Sequence, residues 1–196
     1  MSNPYRLAAG VAALLLVAAC HKQDEEAATT PQLVAAPLTM TVGAGLASLN
    51  GSDAGIESCA TAALAQAPGK LLRARLKSEP DGRRWAFAIR QADGRRQDIE
   101  CSDSAGTLVD TEVPVASAAD PAFAAIARID VAAARAIALE TKPGTVASVA
   151  FALAGDGLAR YAFELATADG AYRIEVDAAS GELAEVSRTL LEIGGD

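Results

Sequence analysis

The chain has 196 residues with 17 Lys and Arg against 25 Asp and Glu, a formal net charge of −8. That balance excludes nucleic acid as a main partner, because a phosphate backbone selects basic surfaces. Hydrophobic residues reach 51% but aromatic ones only 4%, so the core is thin per residue and a small-layer fold with covalent help is expected.

In chain order, Arg6 supplies a positive charge and Leu7 to Ala19 forms an uncharged run ending in small residues. The run is shorter than the roughly 20 residues that span a membrane as a helix, so 1–19 reads as a signal peptide. Its end, Leu16-Val17-Ala18-Ala19-Cys20, resembles the lipobox of bacterial lipoproteins. That resemblance implies cleavage before Cys20, a thioether-linked diacylglycerol on Cys20 and acylation of the new amino terminus with a palmitate-type chain. Several acyl chains, at about 0.8 kcal/mol per buried CH₂, anchor stably where one does not. His21 stands where an aspartate would, by the same resemblance, favour the inner membrane. The expected location is therefore the periplasmic face of the outer membrane. Residues 20–37 are polar, small and proline-containing, which makes them a tether.

Beyond the tether the sequence repeats itself, over 38–112 and 113–196. Pro68 and Pro143 stand 75 positions apart, as do Gly106 and Gly181. Each copy opens on an alanine-rich helix, about 55–66 and 131–142, ended by Pro-Gly; Asp130 is a plausible N-cap for the second. Period-2 segments follow in each copy and predict half-buried strands. In the first copy Leu72, Ala74 and Leu76 are expected inward and Arg73, Arg75 and Lys77 outward, followed by Trp85, Phe87, Ile89, Ile99 and Cys101 inward. In the second, Val149, Phe151, Leu153, Tyr161, Phe163, Leu165, Tyr172, Ile174 and Val176 are expected inward. Asp81-Gly82, Asp93-Gly94, Asp156-Gly157 and Asp169-Gly170 are expected hairpin turns, since Asp-Gly supplies the positive φ that tight turns demand. The expected fold is α+β: a tandem repeat of one helix on a three- to four-stranded antiparallel sheet.

The second copy resembles a PepSY domain through Ile129-Asp130-Val131, Ala136-Ile137-Ala138, Lys142-Pro143-Gly144 and Ile174-Glu175-Val176-Asp177-Ala178-Ala179-Ser180-Gly181-Glu182-Leu183. The first copy departs from the pattern, with Cys101-Ser102 where the second has Val176-Asp177, and is read as a divergent PepSY-like repeat. The resemblance implies an extracytoplasmic, non-catalytic protein-binding module of a kind associated with restraint of peptidases. It supplies no catalytic residues.

Setting Cys20 aside leaves Cys59 and Cys101, an even pair in an oxidising compartment. Cys59 shares a helix face with Ile56, Ala63 and Ala67, and Cys101 shares a strand face with Ile99, so a Cys59–Cys101 disulfide is expected. The single histidine, His21, lies in the tether, away from any base–nucleophile constellation. The Asp-Gly aspartates stand alone, without the dense spacing of a calcium loop. No enzyme activity, cofactor or metal is expected. Between 55 and 110 nine basic residues face eight acidic ones, while 130 to 186 holds four against nine. Arg73, Arg75, Lys77, Arg84 and Arg90 are the candidate partner-binding surface, a basic sheet face for an acidic protein or anionic envelope polymer. The expected partners are the membrane, through the lipid, and an envelope protein such as a peptidase. The alternative is a structural lipoprotein supporting envelope complexes.

Overall fold

The computed structural model describes residues 54–194. The expected signal peptide, Cys20 and tether lie outside the described residues. The chain runs α1 (Ala54–Gln66), β1 (Gly69–Glu79), β2 (Gly82–Gln91), β3 (Arg96–Ser102), β4 (Leu108–Val115), α2 (Pro121–Ile126), α3 (Val131–Thr141), β5 (Thr145–Ala154), β6 (Ala159–Thr167), β7 (Gly170–Asp177) and β8 (Leu183–Gly194). No helix among them is long and apolar enough to cross a membrane.

Alanine-rich sequence gives α1 and α3 their helical bias, and their small buried faces let each lie close on the strands. In α1 the buried stripe is Ile56, Cys59, Ala60 and Ala63, continued by Ala67 just past its end. Asp130 caps α3, accepting a hydrogen bond from Ala133 N at 2.8 Å, and Ala134 and Ala138 are fully buried. The short α2 is absent from the sequence reading. Asp120 caps it, accepting from Ala122 N at 3.0 Å, and Pro121 pre-sets its first turn. This turns Phe123 inward, edge-on to Tyr161 with ring centroids 5.1 Å apart.

The four Asp-Gly turns form as expected, with positive φ at Gly82, Gly94, Gly157 and Gly170. A fourth strand then follows in each half, and these strands decide the topology. β4 pairs with β3 up to Glu112 and with β5 from Glu112 to Val115. β8 pairs with β7 up to Arg188 and with β1 from Arg188 to Gly194. All neighbours are antiparallel, and the eight strands close into one barrel.

The helices and antiparallel strands of the expected α+β class are present, but the two separate small sheets are not. Each half, taken alone, would leave β1 or β5 and the far end of β4 or β8 with unpaired backbone groups. Pairing the halves satisfies them and removes the edges.

Two apolar cores sit on the outer wall of the barrel. One, beneath α1, gathers Leu71, Ala74, Leu76, Trp85, Phe87, Ile89, Ile99, Cys101 and Ile193. The other, beneath α2 and α3, gathers Phe123, Tyr161, Phe163, Leu165, Ile174 and Val176. A disulfide joins Cys59 to Cys101 across the first, with Cα atoms 5.6 Å apart. Ala134 and Val176 take the corresponding places in the second.

Two inward assignments fail for local reasons. A register shift between Leu71 and Arg73 brings Leu71, not Leu72, into the core. Val149 is 38% exposed, because β4 pairs with β5 only from Phe151 onward and the start of β5 is uncovered on that side.

Candidate functional site

Each strand's second face carries charges and alanines. Arg75 and Lys77 of β1, Glu100 of β3, Glu112 of β4, Arg160 and Glu164 of β6, Arg173 and Glu175 of β7, and Glu185 of β8 share it by register. Several of these meet across strands that are not neighbours. Arg75 Nη1 donates to Glu164 Oε1 at 2.7 Å, from β1 to β6. Arg173 Nη2 donates to Glu112 Oε2 at 3.2 Å, from β7 to β4, and Arg160 Nη1 to Asp110 Oδ2 at 2.6 Å, from β6 to β4. In a closed barrel such contacts run through the interior, so this face is the lumen.

Alanine is the reason the lumen can hold them. Ala86, Ala88, Ala152 and Ala162 stand opposite Arg75, Arg73, Arg160 and Glu175 on neighbouring strands, and their small side chains leave room for the long ones. Between Arg75, Lys77, Glu100, Glu112 and Arg173 a gap of about 30 Å³ remains, so the lumen is packed and not a pore.

Lys77 is the hub. Its ammonium donates to Glu100 and to Glu185, the latter at 2.5 Å, and stands 3.3 Å from Glu79 Oε1, with the side chain fully buried. Burial alone would lower its pKa, but Glu100 and Glu185 outweigh that and hold it above the usual lysine range. Glu79, Glu100 and Glu185 bring one oxygen each within 4.8 Å of one another, a spacing that could hold a cation. Lys77 Nζ already serves these three carboxylates, and a metal ion there would have to displace a buried ammonium.

The lumen carboxyls divide. Burial, with Glu175 nearby, pushes Glu112 up to about 9, so it holds its proton at neutral pH. Burial also raises Glu100, to about 7, despite Lys77. Glu175 goes the other way: burial opposes its charge, yet Arg173, Lys77 and Arg160 keep it below the ordinary value. Glu164 is likewise held down against burial by Arg75 and Arg173. The neighbours Glu112 and Glu175 therefore carry one negative charge between them. Glu112 Oε1 accepts no hydrogen bond although Arg160 Nη1 lies 3.6 Å away, in keeping with a protonated carboxyl.

The expected basic surface does not form as read. Arg75 is 7% and Lys77 0% exposed, both inside the barrel. Arg73 is half-buried, Arg84 pairs with Glu79 and Asp81, and Arg90 is exposed near the end of β2. The alternation was legible, but the face away from the helix meets the barrel interior. Arg75 takes Glu164 and Glu192 of the second half, and Lys77 takes Glu185 of the second half beside Glu79 and Glu100 of the first.

Glu100, Glu112, Arg160, Glu164, Arg173 and Glu175 were missed as a set. The signal for them was alanine at alternate positions of a nominally wet face, where an exposed sheet would carry Thr, Lys or Glu. The PepSY-like closing turn is built around Asp177, whose Oδ1 accepts from Ala179 N at 2.9 Å, Ser180 N at 2.6 Å and Ser180 Oγ at 2.9 Å. Gly181, at φ 78°, follows it. Ala178 O then accepts from Arg128 N and Ile129 N, tying the turn to the start of α3.

The family comparison agrees with this half. Residues 128–186 match the family profile described as "Peptidase propeptide and YPEB domain", PepSY. The C-terminal half of the chain thus carries a PepSY domain. A crystal structure of a candidate lipoprotein from Clostridium difficile 630 matches at 16% identity, covering 59% of this chain and 80% of that one, with a TM-score of 0.29. No curated protein matches in sequence. The PepSY profile is not that of a catalytic family.

Proposed function

We propose that the chain is a non-catalytic lipoprotein of the cell envelope, anchored through Cys20, whose barrel and helices form a protein-binding module that moderates a peptidase. The observation that carries this reading is the PepSY match over residues 128–186, whose family description names peptidase propeptides. The lipobox-like Leu16-Val17-Ala18-Ala19-Cys20 supports the anchor, and His21 in place of an aspartate supports the periplasmic face of the outer membrane. A filled lumen is consistent with a rigid body that acts through its outer surfaces and rims.

Crosslinking in intact cells, followed by mass spectrometry of what is captured, tests the partner. An envelope peptidase whose turnover falls when the purified chain is added is the expected result. Capture of an outer-membrane assembly with no effect on peptidases would favour the structural role instead. The anchor has its own check: Cys20→Ser should move the chain from the membrane fraction to the soluble one, and intact mass should lose the diacylglycerol.

A further inference from the structure

The lumen is packed in the middle but opens at one end, where the β1–β2, β5–β6 and β7–β8 turns gather. A cavity of about 640 Å³ lies there, lined by Glu79, Glu100, Asp110, Asp156 and Glu185, with Arg84 and Arg160 as its bases. Both guanidinium groups are already engaged. Arg84 pairs with Glu79 at 3.1 Å and Asp81 at 2.7 Å, and Arg160 with Asp110 at 2.6 Å and Asp156 at 2.7 Å.

Below them Glu79, Glu100 and Glu185 share the single ammonium of Lys77. The Glu79 side chain is 7% exposed, with Oε1 3.3 Å from Lys77 Nζ and Oε2 3.1 Å from Arg84 Nε. Three buried carboxylates around one ammonium keep an excess of negative charge that a further cation would offset.

The second observation is apolar. Val109, 45% exposed, lines this cavity. An adjoining groove of about 300 Å³ is lined by Pro80 and by Leu183, itself 45% exposed, beside Glu79 and Glu185. Leu158, 41% exposed, sits in the turn between Asp156 and Arg160. Exposed aliphatic side chains around a negative, recessed centre have the make-up of a docking site, in which charge selects and apolar contact holds.

We propose that this mouth docks an extended segment of a partner protein that inserts one lysine or arginine side chain, flanked by apolar residues, into the acidic cavity. The cavity is far larger than an ion needs, and Lys77 already occupies the three-carboxylate position. Its acidic lining repels phosphate and anionic lipid headgroups. The proposal rests on the reading of the chain as a protein-binding module and names the face and the partner chemistry.

The test is binding of labelled nonapeptides to the purified full chain by fluorescence anisotropy at low salt. One peptide carries a central lysine between leucine and valine; its counterparts carry norleucine or glutamate at that place. The lysine peptide should bind about tenfold more tightly than the norleucine one, and the glutamate peptide should not bind. Asp156→Asn and Leu183→Ser, both at exposed positions, should each weaken the lysine peptide about tenfold with the unfolding midpoint unchanged. Asp93→Asn, in the turn at the opposite end of the barrel, should leave it untouched.

Equal affinity for the lysine and norleucine peptides, or no binding of the lysine peptide up to about 1 mM, overturns the proposal. If the peptides fail while in-cell crosslinking still captures an envelope protein, the face is wrong and the binding-module reading stands. If crosslinking captures nothing either, both fall.

Discussion

Lys77 shows how a single side chain can be read correctly in periodicity and wrongly in environment. It alternates with apolar neighbours as a solvent-facing lysine would, yet it is fully buried among Glu79, Glu100 and Glu185. Removing one partner of such a buried group strands the others. Lys77→Met should therefore lower stability by about 3–5 kcal/mol in urea unfolding, whereas replacing an exposed cation such as Arg95 should cost no more than about 0.5 kcal/mol.

Glu112 gives the pH prediction. Its folded pKa, near 9, lies above the ordinary 4.5, so the folded state keeps a proton that the unfolded chain releases. That contribution is fully present below about 4.5 and is lost as pH rises toward 9. Glu164 and Glu175, held below the ordinary value, contribute in the opposite sense and lose theirs under acid. Glu112→Gln, which mimics the neutral form, should be more stable than the parent at pH 8 by on the order of 1 kcal/mol, with the gap closing toward pH 5. Urea midpoints measured across that range decide it; an unchanged pH slope would mean Glu112 is ionised in the fold.

Among the elements, α1 and β3 show what covalent help adds to a core poor in large side chains. The second half has Ala134 and Val176 where the first has the Cys59–Cys101 bridge, so the sulfur sites tolerate those residues in volume. The double change Cys59→Ala with Cys101→Val should fold but lose about 3–4 kcal/mol, seen as a lower thermal midpoint and loss of sensitivity to reductant. The bridge, the α1 stripe and all four Asp-Gly turns were legible because each rests on local rules: helical periodicity, strand alternation, and the positive φ that glycine adopts freely. Two features were not. The Leu71/Arg73 irregularity shifts a strand by one residue without a sequence signal. The α2 turn follows from Asp120 and Pro121, a recognisable cap, but lies between repeats where no counterpart drew attention to it.

For the whole molecule, closure couples the halves. The first half's excess of cations and the second half's excess of anions meet inside one barrel, so neither can keep its lumen face satisfied alone. Unfolding should be a single cooperative step. Trp85, the one tryptophan, reports on the first half, while far-ultraviolet circular dichroism reports on both. The two denaturation curves should coincide, and separated midpoints would show that the halves fold independently.

The repeat, the helical stripes, the turns, the cysteine pairing and the PepSY character of the second half could be read from residues alone, because they depend on neighbours in the chain or on composition within one face. What the charged face meets emerged only once the sheet was seen to close. Alternation shows that the two sides of a strand differ, but not which medium lies opposite each. That was set by the offset of β4 and β8, which pair across the halves, close the sheet and turn an apparent outer surface into a lumen.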